Sequence, residues 1–191
     1  MDGGPAAGDR WEALFGDLEA ELAASGAGEL RSEVADRTRR EYATLRLVDR
    51  LRPVLGHPVQ VRLAAGDLVS GRLTDVGADW LLVAEARAAV LVPLSQIAWV
   101  TGLSSRSAVP GSEGRVGAAL DLRHALRRLV RDRAEVVVST VDGGAVTGTL
   151  DRVGADFVEI AEHTAGEPRR AGAVRQVRAM PITAVSCVRS G

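Results

Sequence analysis

Arginine is the residue type in this chain with the most chemistry to offer. All 24 basic side chains of the 191 residues are Arg, and Arg carries a planar, permanently charged fork that grips carboxylates and phosphates bidentately. Two clusters stand out, Arg37, Arg39 and Arg40 in the first third and Arg123, Arg127, Arg128 and Arg131 beyond the middle. Either could neutralise the phosphates of RNA or DNA, or could be a solvated helix face. The bias toward Arg, Ala, Gly and Val matches a GC-rich genome, so Arg usage alone does not argue for phosphate recognition.

Other reactive types are present without the arrangements that make them act. His57, His124 and His163 fall in different elements with no Cys or carboxylate at ligand spacing, so no metal site is expected. Cys187 lies inside a strand-like run with no His partner and reads as a buried apolar residue rather than a nucleophile. Ser104, Ser105 and Ser107 stand in a linker, and Gly111 to Gly114 lacks the Lys-Ser/Thr of a phosphate-cradling loop. Asp79 and Asp156 recur in a repeated VGAD turn, where a duplicated ligand contact competes with the simpler role of a turn residue bonding its own backbone. The expectation is a chain that is not an enzyme and needs no cofactor.

Composition narrows the classes further. Aromatic residues make up 3 % of the chain, so the core must be built from Val, Leu, Ile and Ala, and a base-stacking surface is disfavoured. One cysteine excludes an intramolecular disulfide framework. With no signal-peptide pattern and no apolar run long enough to span a bilayer, the expected location is the cytoplasm, away from membranes.

An internal repeat organises these residues. GDLVSGRLTDVGADWLLV, from Gly66 to Val83, aligns without gaps on GGAVTGTLDRVGADFVEI, from Gly143 to Ile160, at a constant offset of 77. VPLSQIAWV, from Val92, matches MPITAVSCV, from Met180, at an offset of 88, so the second copy carries an insertion of 11 residues within the polar stretch 163–176. That stretch reads as a lengthened loop, of a size that sometimes carries function. Period-two alternation at Val59, Val61 and Leu63, and again at Val136 and Val138, predicts half-buried strands. Gly turns at 65–67 and 142–144 predict hairpins, and Gly71 and Gly148 inside the second strands predict a sharp bend. A third strand should run over 80–84 or 157–161, with Trp80 and Phe157 as the large core residues of their units. A fourth should end at Pro93 or Pro181, with a 3₁₀ turn and a last strand after it.

Helices precede both repeats. Trp11, Leu14, Phe15, Leu18 and Leu22 share one face of a helix over 9–24, a candidate partner-binding face. Between Asp9 and Asp36 eight acidic residues oppose two Arg, a net of −6 that repels nucleic acid and favours a basic partner. A second helix over 28–55 either packs on its own repeat or pairs in a homodimeric coiled coil, and a third is predicted over 115–131. The domain reading is an acidic helical segment 1–36, a helix plus first barrel 37–103, a linker 104–114, and a helix plus second barrel 115–191.

A helix followed by V-x-V-x-L, a Gly turn, G-x-L, an apolar third strand and a final V-P-L-x-x-I block resembles the Sm-like family of small barrels, over residues 40–103 and 116–188. The resemblance implies a mainly β, α+β fold of two tandem five-stranded barrels. It also implies RNA binding at an Asp and Asn pair and at an Arg-Gly pair. Here Gly77, Asp79, Gly154 and Asp156 occupy the first region with no Asn, and no Arg-Gly precedes the last strands, so that RNA site does not carry over. The expected function is regulatory or scaffolding contact with another protein; the alternative is RNA or DNA binding through the Arg-rich helices.

Overall fold

The computed structural model describes residues 15–18, 33–112, 120–166, 170 and 172–191. They belong to two units, 1–45 and 46–191. In the first unit, residues 15–18 are helical, and α1 spans residues 33–43. Its exposed face is held by local pairs, Arg37 with Glu41 at 3.0 Å and Arg39 with Asp36. The helix predicted over 28–55 is broken at residues 44–46. Thr44 caps the end of α1, donating its Oγ1 to the Glu41 carbonyl at 2.8 Å, a local bond that competes with helix continuation.

The second unit opens with the short helix α2, Leu47–Leu51, which tightens into a 3₁₀ turn at Arg52–Val54 because Pro53 has no N–H to continue the ladder. Five strands follow: β1 Pro58–Leu63, β2 Leu68–Val76, β3 Trp80–Ala84, β4 Ala89–Pro93 and β5 Ile97–Thr101, with a 3₁₀ turn at Leu94–Gln96 before the last. Helix α2 has its counterpart in α3, Leu122–Asp132, and five more strands follow: β6 Glu135–Thr140, β7 Ala145–Val153, β8 Phe157–Glu162, β9 Gln176–Pro181 and β10 Val185–Ser190. A 3₁₀ turn at Ile182–Ala184 again precedes the last strand. The strands predicted from the repeat are therefore present within a residue or two of their expected bounds.

The repeat extends to single hydrogen bonds. Gly77 N–H donates to the Trp80 carbonyl as Gly154 does to Phe157, Leu94 to Asp79 as Ile182 to Asp156, and Ala64 to Gln96 as Val141 to Ala184. The shared glycines have one physical cause in each pair. A Cβ on Gly71 or Gly148 would overlap the carbonyl oxygen of Ala84 or Ala161 on the neighbouring strand, and one on Gly77 or Gly154 would overlap the ring of Trp80 or Phe157.

The sheet differs from the expected pair of separate barrels. All ten strands form one open antiparallel sheet in the order β5-β1-β2-β3-β4-β10-β6-β7-β8-β9. The two halves join where β4 pairs with β10, with Leu91 opposite Val188, Val90 opposite Arg189 and Ala89 opposite Ser190. The last strand of the second repeat thus satisfies the backbone donors and acceptors that β4 would otherwise leave open. The fold is mainly β with a few helices.

Two cores lie along this sheet, and the joining strands feed both. Val90, Val92 and Cys187 belong to the first core with Leu51, Val61 and Leu73. Leu91, Val185 and Val188 belong to the second with Leu122, Leu126, Leu150 and Ile160. Successive residues of a strand point to opposite faces, so β4 divides its side chains between the cores. Trp80 is buried, 7 % exposed, yet it packs in the core of the second repeat rather than its own. Phe157 corrects the expectation of a matching core residue, because it is 37 % exposed. It has the same place in its repeat as Trp80 but lacks the cover that Trp80 has from the second core.

Candidate functional site

The geometry of the joint shows what each repeat offers a neighbour. The VGAD corner of the first repeat receives the start of α3. Trp80 Nε1 donates to the Leu120 carbonyl at 2.9 Å, the Ala78 N–H donates to the same oxygen at 3.1 Å, and Asp79 Oδ1 accepts from the Leu122 N–H at 2.7 Å. Asp79 is therefore a helix-terminal acceptor for the next repeat, not a residue bonding its own turn. Its counterpart Asp156 is exposed. Across the strands, Arg189 Nε lies 3.3 Å from Glu85 Oε2, and Gln96 Nε2 donates to the Thr183 carbonyl at 3.3 Å.

At the two ends of the sheet the equivalent surfaces lie open. Trp99 on β5 stands where Cys187 stands on β10, and it is 47 % exposed while Cys187 is fully buried. At the other end Phe157 stands where Trp80 does, and Val177 on β9, exposed, stands where Ala89 does on β4. These residues were present in the sequence analysis only as strand or core positions. The signal for them was a reversal between aligned repeats, Trp against Cys and Trp against Phe, which periodicity does not register.

Helix α3 carries the second candidate surface. Asp121 caps it, accepting from the His124 N–H at 3.0 Å, and the chain leaves it at Arg133 in the left-handed conformation, φ 53°. Leu122 and Leu126 are buried, and α3 packs on β7. Arg123, Arg127 and Arg131, four residues apart, therefore form a stripe on the solvent side with Arg128 beside them. Arg123 is engaged, 2.7 Å from Asp121 and 3.3 Å from the Ala155 carbonyl. The latter bond repeats the one from Arg46 to Ala78 at 3.2 Å. Arg127, Arg128 and Arg131 are exposed, and their side chains hold no ion pair or hydrogen bond among the described residues. Partial burial raises the pKa of Asp121, but hydrogen bonds from Arg123 and His124 outweigh it and bring the carboxyl down to about 2.

The remaining predicted residues are dispersed. Arg37 and Arg39 are held by acidic neighbours on α1 and Arg40 is exposed; all three lie in the other unit. Phe15 and Leu18 are exposed, while Trp11 and Leu14 lie outside the described residues. His57 sits beside the Leu55 carbonyl at 3.1 Å and His124 beside Asp121 at 2.7 Å. His163 pairs through Nε2 with Thr149 Oγ1 at 2.9 Å and through Nδ1 with the Thr164 carbonyl at 3.0 Å. Thr149 and His163 are both buried, so this hydroxyl and imidazole anchor the start of the 163–176 loop and present no reactive atom to solvent. Burial pushes the Cys187 thiol up. Among the described residues there is no group of three or more His, Cys, Asp and Glu that could hold a metal ion. Among them, too, no helix is long and apolar enough to cross a membrane. Compared with family models and with curated proteins, the chain matches none.

Proposed function

We propose that this chain is a non-enzymatic regulatory or scaffolding protein of the cytoplasm, made of two Sm-like repeats, that works by binding protein partners through the two ends of its sheet. The Sm-like reading is supported by the order of each half, a helix, four strands, a 3₁₀ turn and a fifth strand that returns beside the first. The observation that carries the binding role is the coincidence, at both ends, of a strand edge with no strand partner among the described residues and a large exposed apolar side chain, Trp99 beside one and Phe157 beside the other. An open edge offers a row of backbone donors and acceptors to an added strand. Flanking apolar side chains supply the buried area that backbone pairing alone lacks.

The test places a photo-cross-linking amino acid at position 99 or 157 of the full chain in its native cells. Discrete protein adducts are expected at both positions and none at Thr74, an exposed position on β2, two strands in from the β5 edge. Adducts no more frequent at 99 and 157 than at 74 would refute the reading. The acidic segment 1–36, with Trp11, Leu14, Phe15 and Leu18, is a further contact in this proposal, tested by partner recovery after removal of residues 1–36.

A second reading, RNA or DNA binding, is favoured by the three guanidiniums of α3 that hold no partner among the described residues. Its sign is affinity that falls steeply with salt, and a slope reduced by Arg127→Ala with Arg128→Ala. No binding at low salt excludes it.

A further inference from the structure

Resting on that reading, we infer that the VGAD corner at the Phe157 end captures the start of a helix from a different protein, one that enters the helix in the order apolar residue, N-cap, apolar residue. The first repeat supplies the template. There the same corner, 77–80, holds the start of the chain's own α3. The Ala78 N–H donates to the Leu120 carbonyl at 3.1 Å, Asp79 Oδ1 accepts from the Leu122 N–H at 2.7 Å, and Leu122 shares a core with Trp80. Asp121, between the two leucines, is the N-cap.

The second corner, 154–157, is built alike. Gly154 N–H donates to the Phe157 carbonyl at 2.8 Å, against 2.9 Å for Gly77 and Trp80, and Ile182 N–H holds the Asp156 carbonyl at 2.7 Å, against 2.8 Å for Leu94 and Asp79. The leading segment of each repeat braces its own corner, Arg123 on the Ala155 carbonyl at 3.3 Å and Arg46 on that of Ala78 at 3.2 Å. These bonds set the receiving geometry before anything docks, so little ordering remains to be done on binding. What differs is the cover. Gly77 and Trp80 are buried and Ala78 is half-buried, whereas Gly154 is half-buried and Ala155 and Phe157 are exposed. Among the described residues the Ala155 N–H has no acceptor and the Asp156 carboxylate no donor, and these are the two groups that meet α3 in the first repeat.

The chemistry of the corner selects the occupant. An exposed N–H beside a carboxylate and an aromatic ring calls for a carbonyl, a free N–H two residues later, and an apolar side chain on that later residue. The start of an amphipathic helix offers all three, because its first N–H groups have no partner within the helix. A second copy of this chain does not. Its α3 start is already held by Trp80 and Asp79. The counterpart of 120–122 at the offset of 77 is 43–45, where the Leu45 N–H already donates to the Tyr42 carbonyl at 3.2 Å. Phe157 also lacks the indole N–H that Trp80 gives to the Leu120 carbonyl at 2.9 Å, so the contact is weaker than its internal template.

The experiment is an amide NMR titration of the full, isotope-labelled chain against an unlabelled synthetic peptide of residues 120–132, which carries Leu120, Asp121 and Leu122 in the template's order. The Ala155 and Phe157 amides should shift progressively, with half-saturation below about 1 mM, while those of Gly77 and Ala78, already covered by α3, stay in place. Asp156→Ala should weaken binding at least about tenfold, and Asp156→Asn, which keeps an accepting oxygen, should recover most of it. Asp156 is exposed, and spectra unchanged away from the corner would verify that both variants fold. Fixed Ala155 and Phe157 amides at that peptide concentration, or shifts that Asp156→Ala leaves intact, overturn the inference. An equal loss in both variants overturns it too, since it would mark simple attraction between the carboxylate and the arginines of the peptide. The cross-linking above separates the two failures. Protein adducts at 157 without peptide capture sink the helix-start inference and leave partner binding standing, whereas the lack of both adducts and capture sinks both.

Discussion

Trp80 and Phe157 hold one position in two repeats, and the structure assigns them unequal energies. Truncating Trp80 to Ala removes a side chain that is 7 % exposed from the core of the second repeat and leaves the Leu120 carbonyl without its indole donor. Large-to-small changes of buried aromatics cost about 3–5 kcal/mol, and a lost hydrogen bond adds about 1 kcal/mol. Phe157 is 37 % exposed, so Phe157→Ala forfeits roughly two thirds of a transfer free energy of about 1.5–3 kcal/mol and opens no closed cavity. The expected costs are about 4 and about 1–2 kcal/mol, a gap of at least 2 kcal/mol, or about thirtyfold in the folding constant. The assay is equilibrium urea unfolding of both variants and the wild type with linear extrapolation. Equal losses at the two positions would refute the reasoning, because they would mean that the start of α3 does not cover Trp80.

Three further outcomes follow from the geometry. Gly148→Ala should destabilise the chain by more than about 2 kcal/mol, measured by thermal unfolding, since its Cβ meets backbone at Ala161 that no rotamer can relieve; a neutral variant would show that β7 and β8 are not so close. The Asp121 carboxyl titrates at about 2 in the fold against 3.8 ordinarily, so its stabilisation is whole above pH 3.8 and is lost as pH falls toward 2. Reduced for its 24 % exposure, the shift corresponds to about 1–2 kcal/mol, and Asp121→Asn should flatten that part of the acid limb in unfolding curves taken from pH 5 to pH 2. Cys187 is fully buried with its thiol pKa pushed up, so iodoacetamide followed by mass spectrometry should modify it only after denaturant is added.

Much of the fold was legible locally. Alternating Val at 59, 61, 136 and 138, turn glycines at 66 and 143, and prolines ending the fourth strands declare themselves within a few residues, because side-chain period and positive φ are properties of short stretches. Gly66 and Gly143 do adopt positive φ, 103° and 85°. The helical break at 44–46 was harder to read, since a Thr hydroxyl taking a carbonyl one turn back competes closely with helix continuation.

By itself the sequence determined the repeating unit: its strands, its glycines at the close strand approaches of Gly71 and Gly148, and its insertion after Glu162. The tertiary structure alone decided how the units combine. The pairing of β4 with β10, the transfer of Trp80 and Leu91 into the second core, and the exposure of Phe157 and Trp99 depend on contacts between residues far apart in the chain, such as Trp80 with Leu120 and Leu91 with Val188. A strand edge carries the same backbone groups whatever its sequence, so which edge meets which is set by the assembled surfaces around it.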